Sequence, residues 1–110
     1  MQNQEANTQI EKIVKAAEKG KFDEKLIVLL KALRPYALAE NDPLLTRSIR
    51  LCYEFIAATE GFDITMPEDA EIEGDDAEKF LYICGLWQKS ENKYNRDELR
   101  EIADAITNTY

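Results

Sequence analysis

Apolar residues recur at helical spacing along almost the whole chain, in blocks separated by residues that start or stop helices. This periodicity is the strongest constraint on the fold. Ile10, Ile13, Val14 and Ala17 form one stripe; Leu45, Ile49, Cys52 and Ile56 form another. Phe80, Leu81, Ile83, Cys84 and Trp87 make a third, and Leu99, Ile102, Ala103 and Ile106 a fourth. Leu26 to Leu30, with Ala32 and Leu33, is apolar on nearly every side, which predicts a helix at the centre of a bundle. Only four Gly and three Pro occur in 110 residues, too few for a turn-rich all-β fold.

The punctuation sets the boundaries. Thr8 and Glu11 fit a capping box, and Lys19-Gly20 a helix end. Asp23 opens a second helix; Pro35 has no N–H to give the carbonyl four residues back, so a stop or kink is expected there. Asp42-Pro43 is a restart, an acid at the cap followed by Pro at the first helical position. Gly61 marks the next stop, Asp75 with Glu78 the next start, and Asn95 with Glu98 the last. The expectation is an all-α, compact bundle of about five helices, near 8–19, 23–38, 43–60, 76–89 and 96–108, with an acidic loop at 61–75. Within that loop Phe62, Ile64 and Met66 alternate with polar residues, which allows a very short strand before Pro67. Residues 1–7 are expected to fray, leaving 8–110 as a single helical domain. The expected shared core holds Leu29, Leu33, Ile49, Cys52, Ile56, Phe80, Cys84 and Trp87.

Over about 20 residues, Gly20-Lys21-Phe22-Asp23 followed by Leu26, Leu29, Ala32 and Leu33 resembles the turn and second helix of a tetratricopeptide repeat. That family has a small residue where this chain has Lys25 and an aromatic where it has Ala16, and no second copy follows at the repeat period. The stretch is therefore read as an ordinary helical hairpin.

Charge is the most uneven property. The net charge is −8, yet residues 60–78 alone carry nine acids and no base, so the remaining residues sum to −8 − (−9) = +1. An acidic chain argues against direct nucleic-acid binding and against anionic membranes. No run of about 18 apolar residues suggests a membrane span, and Met1 to Gln9 lacks the apolar core of a signal peptide. With two cysteines inside helical stripes, the expectation is a cytoplasmic protein with reduced, slow-reacting thiols.

Candidate chemistry is narrowed mainly by what is missing. The chain has no histidine, no Cys-x-x-Cys pair and no Gly-rich phosphate loop. Placing the glycine of an EF-hand loop on Gly74 puts Phe80 where a bidentate Glu is required, so no metal is expected at the acid cluster. No catalytic residue and no cofactor is assigned. The reading is a non-enzymatic helical interaction module that binds another macromolecule or itself. Its partner is a protein with a basic surface, and Glu68, Asp69, Glu71 and Glu73, with Tyr53 and Tyr94, are the candidate docking residues. Two alternatives stay open: a small inhibitor or decoy of the immunity-protein or nucleic-acid-mimic kind, presenting carboxylates to a basic groove, and a small enzyme working through a carboxylate pair.

Overall fold

A computed structural model describes residues 1–67 and 74–109. The described residues form five α-helices and no strand: α1 Gln4–Glu18, α2 Glu24–Ala39, α3 Pro43–Thr59, α4 Asp76–Gln88 and α5 Lys93–Thr109. The all-α bundle follows from the periodicity. The extensive helix–helix contacts close a ring in the order α1, α2, α3, α5, α4 and back to α1. Consecutive helices are ring neighbours except across the acidic segment, where α3 meets α5 and α4 meets α1. Among the described residues no helix is long and apolar enough to cross a membrane.

The ring corrects the position expected for α2. This helix packs on α1 and α3 and buries Leu26, Ile27, Leu30, Leu33 and Ala37. Its opposite face is open to solvent, with Val28 55% and Leu38 50% exposed, so α2 is a ring member and not a central strut. Leu29 is only partly buried at the edge of the core, whereas Leu33, Ile49, Cys52, Ile56, Phe80, Cys84 and Trp87 are buried together as expected. α2 also runs unbroken through Pro35. Lys31 and Pro35 both lie on the exposed side, where a carbonyl left without its helical donor is open to hydration at little cost.

Several helix ends move outward. Residues 1–7, expected to fray, belong to the folded unit: α1 starts at Gln4, four residues before the proposed Thr8–Glu11 box, because the Asn3 side chain accepts from the N–H groups of Glu5 (2.8 Å) and Ala6 (3.1 Å). Met1 is buried, and its amino group donates to the carbonyls of Trp87 (2.6 Å) and Gln88 (2.9 Å). This places a cation at the C-terminal end of α4, whose last turn carries no basic residue of its own. α5 begins at Lys93, ahead of Asn95, because the Asn92 side chain accepts from Tyr94 N–H (2.9 Å) and Asn95 N–H (3.3 Å). α3 stops through Glu60, which takes the left-handed conformation (φ 57°) that glycine favours, rather than through Gly61. Asp23, Asp42 and Asp75 cap α2, α3 and α4 as read from the chain.

Two features lock the ring. In the first, Phe22, Phe55, Phe62, Phe80 and Trp87 form one aromatic cluster. Phe62 stacks on Phe22 (6.2 Å between centroids) and meets Phe55 (5.9 Å) and Phe80 (5.2 Å) edge-on, while Phe80 meets Trp87 edge-on. The Trp87 indole N–H donates to Ser48 Oγ (3.0 Å), and that hydroxyl donates to Leu45 O (2.9 Å), so the buried polar atoms between α3 and α4 are paired.

The second lock is an ion pair between Asp42, just before α3, and Arg96, in the first turn of α5. The guanidinium donates through both terminal nitrogens to both carboxylate oxygens (2.7 and 2.9 Å) and also reaches Ser90 O. Asp42 accepts Leu45 N–H as well. The hydrogen bonds from Arg96 hold the Asp42 carboxyl below its ordinary value, against partial burial, which acts the other way.

Two outcomes follow from these locks. Phe62→Ala, which empties the centre of the aromatic cluster, is expected to lower stability by about 3–5 kcal/mol in denaturant unfolding. Asp42→Asn keeps an oxygen to cap α3 but breaks the ion pair, with an expected loss on the order of 1–3 kcal/mol at neutral pH. Because the folded Asp42 pKa is depressed, the ionic contribution is complete above the ordinary carboxylate value of 3.8 and disappears as pH falls through the lower folded value. The gap between the two proteins should therefore be constant from pH 5 to 8 and close below pH ~4.

Candidate functional site

The acidic segment leaves the bundle from fixed points. Phe62 and Ile64 are buried, while Asp63 and Thr65 between and after them are exposed. The alternation read from the sequence is thus real, but no strand forms among the described residues. Side chains of α4 bind this backbone instead: Phe62 N–H donates to Asp76 Oδ2 (2.9 Å), and Lys79 Nζ donates to Ile64 O (2.9 Å). Lys79 also lies 3.7 Å from Asp63. At the far end Asp75 caps α4 by accepting Glu78 N–H (2.9 Å), and Asp76 and Glu78 occupy the first turn, where negative charge complements the helix dipole.

Glu68, Asp69, Glu71 and Glu73 lie outside the described residues. Of the two candidate tyrosines, Tyr94 projects from the start of α5 with 78% exposure. Tyr53 does not share that position. It packs partly into the edge of the core, and Lys31 from α2 reaches over its ring, 5.7 Å from the centroid. Tyr53 is thus half-buried, where Tyr94 is exposed.

Three features escaped the sequence reading. A polar pocket of about 160 Å³ lies beside the Asp42–Arg96 pair, lined also by Gln2, Glu40, Ser90 and Glu91. A shallower groove of about 470 Å³ runs over the α2–α3 corner, floored by Leu38 and Pro43 and rimmed by Arg47 and Arg50. The outer face of α2 is apolar; its signal in the sequence is the all-round apolarity of residues 26–33, which fits an outward face as well as a central helix.

Several nucleophile-bearing side chains are held inside the bundle. Ser48 Oγ is shared between Trp87 and Leu45, and Cys52 and Cys84 are fully buried. Burial pushes both thiols well above the ordinary value, and in Cys84 the neighbouring Cys52 adds to the rise. Tyr82 donates to Glu98 Oε2, and burial together with that carboxylate pushes its phenol up to about 12. Among the described residues no three acid or cysteine side chains converge as a metal site would require.

Both thiols should therefore resist a water-soluble thiol reagent in the native state at pH 8 and react within the dead time of mixing in denaturant; fast native labelling of either would contradict this packing. In comparison with known proteins, no family model, no curated protein and no solved structure matches the chain, so its function has to be read from its own residues.

Proposed function

We propose that the chain is a non-enzymatic helical interaction module that docks through its acidic segment onto a basic surface of a protein partner, in the reducing cytoplasm that two buried thiols suit. The observation that carries this reading is the division of labour among the nine acids of residues 60–78. Asp75 caps α4, Asp76 binds Phe62 N–H, Asp63 faces Lys79, and Glu78 sits in the first turn of α4. Glu68, Asp69, Glu71 and Glu73 lie between these anchors in the sequence and outside the described residues. Four carboxylates concentrated over six residues steer a basic partner by raising encounter rates more than affinity. Tyr94, exposed and amphipathic, supplies a second contact of the kind enriched at interfaces.

Replacing Glu68, Asp69, Glu71 and Glu73 with Gln or Asn tests the reading. The expected result is unchanged thermal stability together with slower partner capture, whose salt dependence flattens because the screened charges are gone. A partner that binds the neutralised protein equally fast at every salt concentration would remove the acidic segment from the interface.

A further inference from the structure

Among the described residues, the outer face of α2 exposes large and small apolar side chains along most of its length, unlike α1. On α1 the exposed positions are Gln4, Glu5, Thr8, Glu11, Lys12, Lys15 and Glu18, all polar. On α2 they are Glu24, Lys25, Val28, Lys31, Ala32, Pro35, Leu38 and Ala39, five of them apolar. Val28, Ala32, Pro35 and Ala39 follow one another at three- and four-residue steps and so line a single stripe, and Leu38 borders it. Lys31, the charge closest to the stripe's middle, bends away over Tyr53 on α3. The stripe is small at its centre and carries a larger side chain toward each end.

We infer that this face is the seat of a symmetric dimer, in which α2 of a second copy lies antiparallel across α2 with the two-fold axis near residues 33 and 34. The face is self-complementary under that operation. Ala32 of one copy meets Pro35 of the other, so the backbones approach closely. Val28 of each copy falls beside Leu38 and Ala39 of the other, at the mouth of the groove floored by Leu38 and Pro43. A knob at one end of the stripe thus meets a hollow at the other, as an isologous interface requires.

The charges agree with that register. Glu24, exposed in the first turn of α2, falls next to the groove rim of the second copy, formed by Arg47 and Arg50. Those arginines make surface contacts in the monomer, Arg47 at 3.6 Å from Asp104 and donating to Thr107 Oγ1 at 3.4 Å, and Arg50 at 3.0 Å from Glu54, which contribute little and exchange readily. Lys25 approaches the C-terminal end of the other α2, whose last turn has no basic residue. A 16-residue helix is about 24 Å long, and two such faces with the groove bury roughly 1,000 Å² in total, the lower bound of stable interfaces. The dimer is accordingly a weak, concentration-dependent one.

Sedimentation of the full chain over a concentration series up to about 1 mM, where even a millimolar Kd shows, tests this directly. The expected result is a monomer–dimer equilibrium that Ala32→Glu weakens at least about tenfold, since a carboxylate from each copy is then buried against Pro35 of the other, within a helical turn of its like-charged mate. Thr8→Glu on the polar face of α1 should leave it unchanged. Glu24→Arg and Arg47→Glu should each weaken self-association, and an equimolar mixture of the two variants should dimerise again, which guards against a variant that merely fails to fold. Neutralising the acids of 68–73 should leave the dimer as tight or tighten it, and not weaken it, so this inference and the acidic docking surface fail separately. A chain that stays monomeric at every concentration, or an Ala32→Glu protein that dimerises like the parent, would overturn the inference.

Discussion

Phe62 is the residue on which the ring closure depends. It belongs to no helix, yet its ring touches Phe22 from the α1–α2 turn, Phe55 from α3 and Phe80 from α4. α3 and α4 are joined by a segment rich in carboxylates that repel one another, and such a segment has no electrostatic reason to fold back. Burying Phe62 and Ile64 supplies one, at roughly 1.5–3 kcal/mol per side chain before geometry-specific gains. The Phe62 N–H, which that burial would otherwise strand, is taken by Asp76. The same acidity that strains the connection therefore provides the acceptor that anchors it.

The helices were legible because their signal is local and redundant. α3 has an acid cap, Pro at its first position and four stripe residues, and each cue alone places it. Several of the misses have a different cause, a partner far away in sequence. Asn3 caps α1 because Met1, two residues before it, is held against the end of α4, 86 residues on; no local pattern contains that contact. Glu60 rather than Gly61 takes the left-handed turn because Phe62 must reach the aromatic cluster from that point, and the chain path decides which residue pays the conformational cost. The packing of α2 against α3 likewise brings Tyr53, a candidate docking residue, under Lys31.

A helix apolar on every side admits two solutions, burial at the centre of a bundle or membership of a ring with one face left open. Periodicity cannot separate them, because the apolar residues on the two faces look alike. Size does carry a signal: the buried side of α2 holds Leu26, Ile27, Leu30 and Leu33, whereas the middle of the open side holds Ala32 and Pro35. Residues that fill little volume suit a face that another backbone approaches closely better than they suit a core that must be filled.

The two surfaces proposed for binding differ in the physics that drives them, and that difference constrains how they operate together. Outside residues 60–78 the chain sums to +1, so the body of the bundle does not repel a second copy, while the acidic segments of two copies do. Salt screens that repulsion over about 8 Å at physiological strength and leaves apolar burial nearly untouched. Rising ionic strength thus loosens a basic partner from the acidic segment while easing the approach of two α2 faces. A basic partner has a related effect, because neutralising the carboxylates removes the same repulsion. Occupation of the acidic segment and pairing through α2 are in this way coupled through the long-range field, without any change in shape of the bundle that carries both.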